Sequence, residues 1–352
     1  MSVDVAKPGT RGTVSLTAPR LPREAPLLVG VGAVAVAALV WLLLGWPLVG
    51  SAVVGGLVFL VALPAWSRVV EGRRSATDRL MTALIWTTFV VAMVPLVSLV
   101  ATVVTKGAPV VNREFLTYSL FSTGAEQPPG IYHAIMGTLI ITVGAAIISV
   151  PVGVLAAIYL VEYGKRNQLA RMVTFLVDVM TGIPSIVAGL FAFALFTVLF
   201  GPGFQAGIGG SVALSLLMIP IVVRATEEML RLVPDDLREA SYALGTPKWR
   251  TIVKVVLPTT IGGIITGVTL AVARVIGETA PLLLIAGLAA RTNTDPFSGA
   301  MTTLPVQIYS FNSRQETLDL AWGAALVLIV IVLALNLVAR VIGKIFAPKT
   351  GN

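Results

Sequence analysis

Cysteine is absent from the 352 residues, and histidine occurs once, at His133. That inventory excludes a disulfide framework and any metal centre built from thiolates or several imidazoles. Charge is scarce too. Asp, Glu, Lys and Arg make up 12% of the chain, about half of the ~25% usual in soluble domains. No Gly-x-x-x-x-Gly-Lys-Ser/Thr segment occurs, so the chain has no phosphate-cradling loop with which to hold ATP. The first 26 residues are polar and proline-rich and contain no apolar run before a small-residue cleavage site. They predict a cytoplasmic tail rather than a cleaved signal peptide.

What is abundant is apolar: 56% of residues are hydrophobic. A spanning helix needs about 20 mostly apolar residues. Eight stretches qualify, near 27–46, 47–66, 80–104, 134–161, 172–200, 209–226, 256–289 and 320–342. The fold class is therefore all-α and polytopic. The first two stretches, joined at Trp46-Pro47, predict a tight N-terminal hairpin over 27–66. Eight crossings put both termini on one side. If that side is cytoplasmic, 20 of the 25 basic residues fall inside, only Lys106, Arg113, Arg291 and Arg314 fall outside, and Arg274 stays within a span. This positive-inside split accounts for the net charge of +8 without nucleic acid. His133 falls at an outer span boundary and is expected to be solvated. Long outer segments near 105–133 and 290–319 suit an external partner.

The longest inner segment, 227–258, is punctuated like an elbow. Pro234, Asp235 and Asp236 suit a first helical turn. Gly245 suits a left-handed stop, and Thr246-Pro247 an N-cap and first position of a second helix. Within it stand Glu239-Ala240-Ser241, then Gly245, then Val255, then Leu257-Pro258. This run resembles the Glu-Ala-Ala signature of type I ABC importer permeases at every spacing. Ser241 and Val255 replace the usual Ala and Ile, both small changes. The resemblance implies a six-helix permease core, here spanning about 80–345, with the 27–66 hairpin as an accessory. It also implies that Glu239, Ala240, Gly245, Leu257 and Pro258 couple the chain to a cytoplasmic ATPase, present in two copies. ATP and Mg2+ are then used by that partner, and no cofactor is expected on this chain.

Charges within a span cost about 2.5–3.5 kcal/mol at the helix centre, so Asp178, Arg274 and Glu278 draw notice. As a carboxylate, Asp178 suits helix packing better than an anionic substrate. Arg274 and Glu278, four residues apart, predict a shared helix face. A guanidinium matches phosphate oxygens with a planar fork. Glu278 could hold Arg274 between substrates, or accept a hydrogen bond from a protonated phosphate oxygen. The pair could equally neutralise itself and only lock helices. Two runs bear on this: Thr181-Gly-Ile-Pro184-Ser185-Ile-Val-Ala-Gly189 and Arg274-Val-Ile-Gly277-Glu278-Thr279-Ala-Pro281. Both resemble phosphate permeases, the second those of the PstA type. That resemblance implies substrate contacts from Arg274, Glu278, Thr279 and Ser185. It further implies a second permease subunit of the PstC type, ATPases of the PstB type and an external phosphate-binding protein of the PstS type. The location implied is the bacterial inner membrane. A permease for molybdate or sulfate, or a secondary transporter without an ATPase, are the competing readings.

Overall fold

The computed structural model describes residues 20–120, 128–164 and 167–346. Residues 1–19 of the tail, and Lys165, Arg166 and Lys349 of the inner basic set, lie outside the described residues. No strand occurs among the described residues, as an all-α chain requires. Seven of their helices can each cross a membrane by length and composition, and one bent pair makes an eighth candidate. The chain is thus a multi-pass membrane protein. It divides into two compact units, Met1–Val100 and Ala101–Asn352.

In the first unit, α1 (Ala25–Leu44) and α2 (Leu48–Val70) form the expected hairpin. Gly45 ends α1 at φ 64°, a left-handed conformation that costs a glycine little. Pro47, with no N–H to lose, opens α2. Gly72 turns the chain into α3 (Arg73–Gly107). At this turn the Glu71 carboxylate accepts two hydrogen bonds from Arg79, at 2.7 and 2.8 Å, one from the Ser67 hydroxyl at 2.7 Å and one from the Leu21 N–H at 2.8 Å. The Arg79 fork, with the Ser67 and Leu21 donors, holds the Glu71 pKa down to about 2.

The second unit continues through α4 (Arg113–Thr117), α5 (Tyr132–Ile158), α6 (Gln168–Thr181), α7 (Ser185–Phe200), α8 (Gly207–Arg231), α9 (Asp235–Ala243), α10 (Lys248–Thr251), α11 (Leu257–Val275), α12 (Ala280–Ile285), α13 (Leu304–Asn312) and α14 (Leu318–Phe346). The central helix is α8. Its most apolar stretch is 56% buried, against 28% for α5 and 0% for α14, so lipid or a partner must cover the outer helices. Small residues let α5 approach α8. A Cβ on Gly153 would stand 2.7 Å from Val222 Cγ1, and one on Gly144 2.5 Å from Ser211 Oγ. Around that seam Ile141, Leu214, Met218, Val222, Val275 and Leu282 form the main core.

The outer segments hold more structure than expected. A hydroxyl contact of 2.7 Å between Ser119 and Thr292 ties one to the other. The short α13 lies against α5: the Leu304 N–H donates to Thr138 Oγ1 at 2.7 Å. This corrects the reading of His133 as solvated. Its side chain is buried, with Nε2 3.1 Å from Gln307 Oε1 on α13.

Candidate functional site

Two of the expected spans are broken, and the breaks lie in the two runs singled out above. The 172–200 stretch is not a continuous helix: α6 and α7 meet at a bend of 110°. Pro184 stands at the bend with no N–H to donate, and its ring bars a helix from running on from α6. The Thr181 hydroxyl donates to the Asp178 carbonyl at 2.6 Å, satisfying one of the acceptors left at the end of α6. The 256–289 stretch is broken too. Helix α11 stops at Val275, and α12 begins at Ala280. Pro281 contributes to the break, since its ring would clash with the carbonyl of residue 277 in a continuous helix. Glu278 therefore lies beyond the end of α11 and does not share a helix face with Arg274, contrary to the four-residue spacing.

The breaks pack against each other. A Cβ on Gly189 would come within 2.5 Å of Pro281 Cα, so the N-terminal parts of α7 and α12 lie side by side. Gly189→Val should force these helices apart and destabilise the protein by about 1–3 kcal/mol. Thermal unfolding in detergent reads this directly, and an unchanged midpoint would refute the close contact.

The four expected substrate residues cluster around these breaks without bonding to one another. Ser185 is half-buried at the first position of α7. Glu278 and Thr279 are half-buried in the link between α11 and α12, and the Thr279 side chain makes no capping bond. Arg274 is exposed in the last turn of α11. Among the described residues its guanidinium has neither an ion pair nor a hydrogen bond. The self-neutralising pair with Glu278 is thus not formed. Two arginines of α8 are paired instead. Arg224 binds Asp178 and, at 2.8 Å, Glu227, while Arg231 binds Glu227 at 2.5 Å. Asp178 accordingly ties α6 to α8, as a packing carboxylate would.

The elbow at 227–258 is present with its punctuation slightly displaced. Pro234 precedes α9 as its N-cap rather than sitting inside it, and Gly245 is left-handed at φ 76°. Pro247, not Thr246, occupies the N-cap of α10. The Thr246 hydroxyl instead donates to the Ser241 carbonyl at 2.5 Å, and Ser241 Oγ lies 2.9 Å from Thr251 Oγ1. The serine that replaces the usual alanine thus braces the bend. Glu239, Ala240, Gly245 and Pro258 are exposed and Leu257 is half-buried. Leu244 and Trp249 stand out from the elbow, 87% and 57% exposed.

Sequence reasoning missed what anchors this elbow. Arg238 donates to Glu162 Oε1 at 2.9 and 3.1 Å, to the Leu230 carbonyl at 2.9 Å and to the Val233 carbonyl at 2.6 Å. Glu162 belongs to a π-helical turn, Tyr159–Tyr163, that closes α5, and its side chain is only 5% exposed. Lys248 bonds the Glu162 carbonyl and sits 4.7 Å from the Tyr163 ring centre. The available signal was positional: a charged pair in which Arg238 abuts Glu239 and Glu162 ends an apolar span.

Known proteins share both the sequence and the architecture. Residues 149–352 match the family described as binding-protein-dependent transport system inner membrane component. The phosphate transport system permease protein PstA 1 of Mycobacterium tuberculosis (strain ATCC 25618 / H37Rv) is 47% identical over 283 residues, covering 79% of this chain and 91% of that protein. The PstA protein of Mycobacterium leprae (strain TN) is 48% identical over 274 residues, covering 77% and 90%. That of Yersinia pestis is 40% identical over 283 residues, covering 78% and 92%. Among solved structures, a chain of a bacterial alginate ABC transporter, crystallised with an alginate pentasaccharide-bound periplasmic protein, aligns with a TM-score of 0.55. It is 15% identical and covers 78% of this chain and 97% of that one, which shows a shared fold alone. On the strength of the profile match and of relatives this similar over most of their length, the chain belongs to the binding-protein-dependent transport inner membrane components and, within them, to the PstA permeases.

Proposed function

We propose that this chain is the permease subunit of an ATP-driven importer of inorganic phosphate, and that Arg274 meets the anion. The observation that carries the reading is the unpaired guanidinium of Arg274, next to a helix break in an apolar span. Facing lipid, such a group is costly. Facing a water-filled path shared with a second permease subunit, it is a ready anion site, and irregular backbone at depth is tolerated beside such a path. Ser185, Glu278 and Thr279, around the paired breaks, complete the lining. A multivalent oxyanion suits the fork of donors, and kinship with PstA phosphate permeases selects phosphate among oxyanions.

The remaining parts follow from the family reading. Both termini are cytoplasmic. Glu239, Ala240, Gly245, Leu257 and Pro258 present the elbow to one of two ATPase copies, which use ATP and Mg2+. An external binding protein delivers phosphate to the outer segments. Vesicles holding the complete complex should take up labelled phosphate when ATP is supplied to the ATPase side. Excess sulfate or molybdate should leave the rate almost unchanged. Strong competition by either would move the assignment to that anion, and uptake independent of ATP would favour a secondary transporter.

A further inference from the structure

The N-terminal unit contains a cleft of about 930 Å³ that the transport reading does not use. It opens between the hairpin and α3, and its two ends differ in chemistry. At one end lie Arg20, Arg74 and the Glu71–Arg79 pair; Phe59, Leu63, Thr82 and Trp86 line the rest. We propose that this cleft binds one anionic phospholipid, with its phosphate at Arg20 and Arg74 and an acyl chain along α2 and α3.

Charge, length and placement support that occupant. Arg20, Arg74 and Arg79 stand against Glu71 and Asp78, so the charged end is net positive. The Glu71 carboxylate is already saturated by Arg79, Ser67 and the Leu21 N–H, so it offers no free acceptor and little repulsion. Arg20 and Arg74 form no ion pair among the described residues. Along α3, Arg74 and Trp86 are twelve residues apart, roughly 18 Å at the helical rise. Half of a ~30 Å hydrocarbon core is about 15 Å, so the cleft is as long as one leaflet is deep. An inorganic anion would use the arginines and leave the apolar wall bare. Basic pockets between spanning helices are suited to anionic headgroups. The site needs only the membrane placement of α2 and α3, so it stands apart from the identity of the cargo.

The test uses the complete importer complex in vesicles of phosphatidylcholine and phosphatidylglycerol, extracted gently and weighed by native mass spectrometry. The wild type should retain phosphatidylglycerol in preference to phosphatidylcholine. The double variant Arg20→Gln/Arg74→Gln should retain roughly 10- to 30-fold less, at about a factor of five for each basic residue near an anionic group. The pair Arg23→Gln/Arg68→Gln removes the same charge outside the cleft and should retain it normally. Thr82→Trp, which puts an indole into the apolar part of the cleft and keeps the arginines, should also weaken retention. Equal loss in both arginine pairs would reduce the effect to diffuse surface charge and overturn the site. So would undiminished retention in Thr82→Trp or in Arg20→Gln/Arg74→Gln. Displacement of the lipid by inorganic phosphate would reassign the arginines to a free anion and overturn the lipid proposal.

Discussion

Arg274→Ala should lower phosphate uptake on the order of 10²- to 10³-fold while the complex still assembles. Truncating one partner of a desolvated, hydrogen-bonded charge pair costs about 2–5 kcal/mol, and among the described residues no carboxylate pairs with Arg274 in place of the anion. Arg274→Lys should restore uptake only in part, because an ammonium keeps the charge but lacks the planar fork. The measurement is labelled-phosphate uptake in vesicles, with co-purification of the ATPase as the control for assembly. Normal uptake by the alanine variant would remove Arg274 from the mechanism. Loss of assembly would make it a packing residue instead.

Arg238→Ala should disconnect ATP use from transport. Arg238 and Glu162 are 12% and 5% exposed, and breaking a buried pair by removing one partner costs about 3–5 kcal/mol. The elbow would then lose its main tie to α5, and transport per ATP hydrolysed should fall at least tenfold. Glu162→Gln should behave similarly but less severely, since an amide oxygen still accepts from the guanidinium. The double variant Arg238→Met/Glu162→Met leaves no stranded charge and should recover much of the loss. That recovery, read as a double-mutant cycle, separates a working ion pair from two independently important side chains. Full coupling in the Arg238→Ala variant would show that the contact is incidental.

The hairpin, the elbow and Arg274 were legible in the sequence because each is a local signal. Trp46-Pro47 separates two apolar runs; Pro234, Gly245 and Pro247 fall at helix boundaries; a lone arginine stands out in a span. The break at Pro184 was legible as a proline that interrupts the helix ladder, but the size of its bend was not, and the break at 276–279 was not legible although Pro281 was in view. Pro64, Pro95, Pro151 and Pro220 stay inside α2, α3, α5 and α8, so proline alone does not decide. What separates the cases is tertiary: Gly189 admits Pro281 at a distance no side chain would allow. The Arg238–Glu162 pair links residues 76 positions apart, beyond any periodicity. The burial of His133 depends on α13, nine residues that are too short for their apolar pattern to announce a helix.

The Arg238–Glu162 tie has a mechanical consequence. Because the elbow grips the foot of α5, and α5 is wedged glycine-to-side-chain along α8, a stroke applied to α9 is delivered to a stiff two-helix beam rather than absorbed in a hinge. Compliance is then left to the two proline joints farther along, beside Ser185 and Thr279. A shove from the nucleotide engine would be released as movement next to the cargo, not at the point of attachment.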